Sequence, residues 1–148
     1  MGVFSIVVER HEKVIAVCDG RVVGVLGPGR HRRQRRSAHE RVDVRSRVTT
    51  VSPQEILTAD GSTVEVSASV RWEVGDPALY TSVRDAEAVV YLAVQIALRD
   101  ALAVREVAEL VRDGRRSAGP DALEAAHLAG VGVGIVVDDV VVKDIVLP

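Results

Sequence analysis

Val64-Glu65-Val66-Ser67-Ala68-Ser69-Val70-Arg71-Trp72-Glu73-Val74 is the stretch whose reading decides the fold. Apolar side chains alternate with polar ones along its whole length, a period of two that belongs to a β-strand with one buried and one wet face. Immediately before it, Gln54 to Thr58 reads as a short strand ending at Asp60-Gly61, so the two strands form a hairpin. Upstream, Val42, Val44, Ser46, Val48 and Thr50 alternate with Asp43, Arg45, Arg47 and Thr49, and Ser52-Pro53 interrupts the pattern. Further upstream, Lys13–Cys18 and Arg21–Leu26 flank Asp19-Gly20, which supplies the positive φ angles of a tight turn, and Gly27-Pro28-Gly29 ends the second strand. A first strand is expected over Val3 to Val8.

Downstream of the alternating strand the period changes at Asp76-Pro77, where aspartate suits the N-cap and proline the first helical position. A short helix to about Val83 is followed by a longer one opened by Asp85, with Ala86, Val89, Val90, Ala93, Ile96, Ala97, Ala101 and Leu102 at helical spacing. A further helix from about Arg105 to Arg112 ends near Gly114, and Gly119-Pro120 separates it from another over Asp121–Ala129. The chain then returns to strand over Val131–Val137 and Val140–Val146, with Asp138-Asp139 as the turn between them. Strands, then helices, then strands argue for an α+β fold, a largely antiparallel sheet with packed helices, rather than alternating βαβ units. The core expected from these patterns includes Val64, Val66, Val70, Trp72, Ile96 and Leu98.

At 148 residues the chain is expected to form a single domain over 1–148, with strands over about 3–75, helices over about 77–129 and closing strands over about 131–146. Hydrophobic residues make up 47% of it but aromatics only 3%, so valine, leucine and alanine must fill the interior. Lys+Arg number 19 and Asp+Glu 21, a balance that excludes a general polycation or an acidic tail. With Cys18 as the lone cysteine, no internal disulfide and no cysteine-rich metal cluster can form. Without a basic and apolar N-terminal stretch or a run of about 20 apolar residues, neither a signal peptide nor a spanning helix is expected.

Taken together, the hairpin closed by Gly27-Pro28-Gly29, the segment VDVRSRVTTVSPQEILTADGSTVEVSASVRWEVGDP (42–77), LAVQIALRDALA (92–103) and VVVKDIVLP (140–148) resemble the band-7/SPFH domain family of the stomatin, prohibitin and slipin kind. The most specific parts are the Gln54-Glu55…Thr58-Ala59-Asp60-Gly61 hairpin and Leu98-Arg99. The resemblance implies a non-enzymatic scaffold whose members form homo-oligomeric rings or arrays on membranes, organise lipid microdomains and hold membrane proteases or channels. It brings no catalytic residues, no cofactor and no metal. Relatives commonly carry an N-terminal membrane anchor and a coiled-coil tail, and neither is expected in this sequence, which places it as a peripheral protein on the cytoplasmic side of a membrane, or free in the cytoplasm if no partner supplies an anchor. Relatives also run one long helix where this sequence has Gly114, Gly119 and Pro120, so the third helix is expected to be shortened.

Arg30 to Arg36 reads RHRRQRR, five arginines in seven residues without an apolar anchor, and is expected to be a loop. Outside it, 14 basic residues stand against 21 acidic ones, so the segment is the positive end of a local dipole. Arg30, Arg32, Arg33, Arg35 and Arg36, with Phe4, are the candidate contacts to a membrane surface or anionic partner; cations near an anionic bilayer contribute about 1 kcal/mol each. The alternative to a scaffold is thus a small anion-binding module for phospholipid headgroups or nucleic acid, although no interleaved aromatics offer base stacking. Solvation of an ordinary charged loop explains the run equally well.

Other chemistry has little support. His11-Glu12 and His39-Glu40 lack the second histidine four residues on that a helical zinc-protease motif needs, since Ile15 and Asp43 stand there. Gly130-Val131-Gly132-Val133-Gly134 is followed by a strand, not by a helix whose amides could face a phosphate, so it reads as a flexible connection. His31 and His127 read as solvated loop and helix residues, and Ser37 near His39 lacks an orienting acid.

Overall fold

The computed structural model describes residues 5–33 and 35–148. The chain forms β1 (Ser5–Val8), β2 (Glu12–Cys18), β3 (Arg21–Leu26), β4 (Gly29–Arg32), β5 (Ala38–Asp43), β6 (Arg47–Leu57), β7 (Thr63–Val74), α1 (Pro77–Ser82), α2 (Ala86–Ala103), α3 (Val107–Val131) and β8 (Ile135–Val146). This is an α+β fold in which every strand pair among the described residues is antiparallel. Three small sheets result, ordered β1-β4, β3-β2-β5 and β6-β7-β8.

The alternating strand behaves as its period requires. In β7, Val64, Val66, Ala68, Val70, Trp72 and Val74 are buried while the residues between them reach the surface. On its flanks, β6 and β8 each change phase through β-bulges, where one extra residue swaps the faces beyond it. Ser52-Pro53 opposes the single residue Ser67, so Val51 and Ile56 are both buried despite their odd spacing. Asp138 is the extra residue between Val137 and Asp139, and it lies within β8 rather than in a turn between two strands. The expected pair of closing strands is therefore one strand with two bulges, the second at Lys143. Likewise, the alternation read through Val42 and Val48 breaks between β5 and β6: Val42 is buried and Val48 is exposed.

The helices cover the inner face of β6-β7-β8. Asp76 caps α1 by accepting from the Leu79 N–H at 3.1 Å, with Pro77 in the first turn, and Asp85 caps α2 by accepting from Ala88 N–H at 3.1 Å. Against the core, α2 buries Ala86, Val90, Val94, Leu98, Ala101 and Leu102. Ile96, expected in the core, is instead exposed, because an alanine- and valine-rich helix is apolar on several faces and its period leaves the inward one undetermined. Contrary to the expected shortening, α3 is one helix of 25 residues with Pro120 inside it. Leu110, Gly114, Ala118, Ala122, Ala126 and Gly130 recur every four residues and are all buried, forming a ridge of small side chains that lets the helix lie close to the sheet. Pro120 stands on the exposed side of the helix, where its ring removes one backbone donor.

Two apolar clusters hold the molecule together rather than one shared interior. The larger joins β6-β7-β8 to α2 and α3 and takes in Ile15 and Val42; the smaller consists of Ile6, Val8 and Val14 with Leu26. Consecutive residues Val14 and Ile15 enter different clusters, so β2 is buried on both faces.

Candidate functional site

The arginine segment is only partly a loop. Arg30, His31 and Arg32 pair with Val7, Ile6 and Ser5, so β1 and β4 form a two-stranded sheet. Backbone hydrogen bonding is indifferent to side-chain charge, and alternation then sorts the residues: Ile6 faces the small cluster, whereas Arg30 and Arg32 are exposed beside Val7. Beyond the strand, Arg33, Arg35 and Arg36 are exposed as well, and Arg36 turns the chain with φ of 57°, the left-handed region that non-glycine residues seldom enter. Ser37 Oγ donates to the Arg35 carbonyl at 3.4 Å. His31 is not solvated as expected: its Nε2–H donates to the Gly27 carbonyl at 2.6 Å and closes the turn before β4. Phe4 lies outside the described residues.

Among the described residues, none of the five arginines makes an ion pair. The neighbouring Arg41 does: its Nη1 donates to Glu12 Oε1 at 2.9 Å and to the Val7 carbonyl at 2.9 Å, tying β1-β4 to β3-β2-β5. Glu12 is held below the usual carboxylate value, first by the Glu9 N–H and then by the Arg41 charge. At the end of β5, Arg45 forks onto Asp43 at 2.6 and 3.1 Å and keeps that carboxyl well below its usual range. The structure thus separates arginines that serve as internal ties from five whose charge faces outward.

A second basic cluster lies where α3 meets β8 and escaped the sequence reading. Arg112, Arg115 and Arg116 line an open groove of about 470 Å³ floored by Gly114 and Ile145. Their spacing of three and four residues on one helix was the available signal. Asp113 and Asp144 line the same groove and offset two of the three charges, and Arg115 Nη1 donates to the Lys143 carbonyl at 3.2 Å.

The remaining polar groups anchor elements. Trp72 Nε1–H donates to Thr49 Oγ1 at 2.9 Å, and the Thr49 hydroxyl donates to Glu87 Oε1 at 2.9 Å, fixing the first turn of α2 on the sheet. The Arg47 guanidinium lies 4.7 Å from the Trp72 ring centre. Tyr91 OH accepts from Ser52 N–H at 2.9 Å, and hydrogen bonding from Ser52 holds the phenol below its ordinary value. His127 is exposed, but its Nε2–H donates to the Val137 carbonyl at 2.8 Å beside the Asp138 bulge. His11 sits in the turn before β2; His39 lies on β5 with both ring nitrogens buried and unpartnered. Nor is the Gly130–Gly134 connection slack. Gly75 and Asp76 N–H both donate to the Gly134 carbonyl, at 2.9 and 3.1 Å, and Gly134 has a φ of 77°. A Cβ there would lie 2.7 Å from the Tyr80 nitrogen. Among the described residues no group of three or more His, Cys, Asp or Glu is placed to hold a metal ion, and no helix is long and apolar enough to cross a membrane.

The SPFH domain / Band 7 family model matches residues 6–148. Stomatin-3 of Caenorhabditis elegans is 36% identical over 112 residues, covering 75% of this chain and 42% of the relative. Protein unc-1 of the same organism is 34% identical over 147 residues, 96% of this chain and 51% of the relative. Mouse stomatin is 29% identical over 146 residues, again 96% of this chain and 51% of the relative. The chain thus spans about half or less of the length of these relatives.

Proposed function

The chain belongs to the SPFH domain / Band 7 family, and from that premise we propose that it is a non-enzymatic, membrane-associated scaffold domain that associates with copies of itself and holds or organises membrane proteins, a protease among the candidates. The observation that carries this reading is the family match over residues 6–148, which takes in the sheets, all three helices and the closing strand, and therefore rests on the whole architecture rather than one motif. In this reading residues 1–148 act as one SPFH unit, peripheral at the cytoplasmic face, with assembly as its activity. Sedimentation of the purified chain over a concentration series, together with flotation on anionic vesicles, tests it. Concentration-dependent growth in mass with vesicle binding is expected; a strict monomer that ignores vesicles would overturn it.

The second reading, an anion-binding module that does not assemble, is favoured by one specific observation. Five exposed arginines cluster on β4 and the turn after it without an ion-pair partner among the described residues. Phospholipid headgroups are the ligand this surface fits best, and nucleic acid a poorer one because no aromatic side chain is interleaved with the arginines.

A further inference from the structure

Arg-Arg-Ser-Ala occurs twice in the chain, at 35–38 and at 115–118, each time with a further arginine five positions before the serine. A serine behind arginines is what the acidic substrate cleft of an arginine-directed protein kinase selects, by charge complementarity to the segment upstream of the hydroxyl. Sequence alone gives both copies the same claim, and the structure separates them. Ser117 lies in the middle of α3, where its hydroxyl is engaged by the Asp113 and Gly114 carbonyls at 3.2 and 3.1 Å. The next residue, Ala118, is fully buried in the core. A kinase cleft takes its substrate extended, so reaching Ser117 requires unfolding the helix that roofs the sheet. Ser37 instead stands between β4 and β5, half-buried, with exposed Arg33, Arg35 and Arg36 beside it outside the strands. Its hydroxyl has only the Arg35 carbonyl at 3.4 Å, longer than an ordinary O–H···O bond, and is therefore weakly held. The strand before it belongs to a two-stranded sheet, a marginally stable kind, so straightening this turn disturbs little of the fold.

We infer that Ser37 is a phosphorylation site, and that its phosphate weakens the hold of the arginine cluster on phospholipid headgroups. In the transfer, Ser37 Oγ attacks the γ-phosphorus of a nucleoside triphosphate bound by the kinase. The Oγ–P bond forms as the bond to the β,γ-bridging oxygen breaks, nucleoside diphosphate leaves, and the hydroxyl proton passes to a carboxylate base of the kinase. The resulting ester carries about −1.5 to −2 charges at neutral pH. Arg33, Arg35 and Arg36, which make no ion pair among the described residues, are the cations of the same turn on which it can fork. Five outward positive charges thus fall to a net of about three. The switch rests on the reading of these arginines as a headgroup-binding surface and adds its control; the modification site stands on the geometry of Ser37 alone.

Treatment of the full chain with an arginine-directed serine/threonine kinase and ATP labelled at the γ-phosphate tests both halves. Peptide mapping locates the label, and flotation on mixed phosphatidylserine and phosphatidylcholine vesicles reads the affinity. Wild type and Ser117→Ala are expected to take up phosphate on Ser37, and Ser37→Ala to take up almost none. Phosphorylated wild type is expected to bind the vesicles roughly ten- to thirty-fold more weakly than untreated protein, while the same treatment leaves Ser37→Ala unchanged. Label on Ser117 in the folded chain, or none on Ser37, overturns the site. Label on Ser37 with undiminished vesicle binding overturns the switch. Untreated wild type that ignores the vesicles overturns the headgroup reading and the switch together, and the labelling result still decides the site.

Discussion

Asp60 shows how much one turn residue can hold. Its carboxylate accepts from the Thr58 hydroxyl and from Val107 N–H at 3.4 Å, and beside it Ala59 N–H donates to the Arg105 carbonyl at 2.8 Å. The β6–β7 turn is thereby tied to the start of α3. These donors, the Thr58 hydroxyl first, lower the carboxyl from its ordinary 3.8. A carboxyl depressed by folding stabilises the native state fully above its unfolded value, and that contribution disappears as pH falls through the lower folded value. Asp60→Asn is therefore expected to unfold at a lower temperature than wild type near neutral pH, with the difference narrowing as pH falls through the carboxyl's lowered folded value. Thermal melts across that range check it, and a difference independent of pH would show that the charge plays no part. Asp60-Gly61 was legible in sequence as a turn, but its tie to α3 spans 47 residues and leaves no local signature. His39 was legible only as a failed metal motif; its pairing with Ala16 inside β3-β2-β5 depends on register, which sequence spacing does not report.

At the scale of elements, α3 separates local propensity from tertiary packing. Gly114, Gly119 and Pro120 are genuine helix-breaking signals, and they predict two short helices. One long helix forms because its four-residue ridge of small side chains packs on the sheet, and packing outweighs propensities of about 1 to 3 kcal/mol. The two kinds of glycine should respond differently to alanine. A Cβ at Gly119 meets nothing within 4 Å beyond its chain neighbours, but Pro120 follows and disfavours a Cβ in the helical residue before it, which offsets the propensity gain, so Gly119→Ala is expected to be close to neutral. At Gly130 a Cβ would lie 2.5 Å from the Ile135 carbonyl oxygen, so Gly130→Ala is expected to destabilise by about 2 kcal/mol or more. Urea unfolding of both variants measures the contrast. β7, the Asp19-Gly20 hairpin and the caps at Asp76 and Asp85 were readable because each carries its own pattern or stereochemistry. β4 was hidden by its arginines, and the inward face of α2 by an excess of apolar choices.

For the whole molecule, the clustering of five outward arginines against an acidic remainder makes surface charge testable apart from assembly. Replacing all five by serine is expected to reduce binding to anionic vesicles by about 1 kcal/mol per arginine and to flatten its salt dependence. Flotation assays at several salt concentrations, paired with sedimentation, give both readings. Loss of vesicle binding with unchanged oligomer size favours the anion-binding module; unchanged vesicle binding removes the arginines from consideration. The antiparallel pairing of β7 with β8 has a further consequence for how the chain is made. Residues 65–74 of β7 find their partners at 135–146, with α1, α2 and α3 between them. On the ribosome, the hairpin of β6 and β7 therefore emerges with a bare edge and an unroofed valine face well before β8 is synthesised. During that interval the nascent chain presents an adhesive surface, and a chaperone that shields extended apolar strands would meet it there.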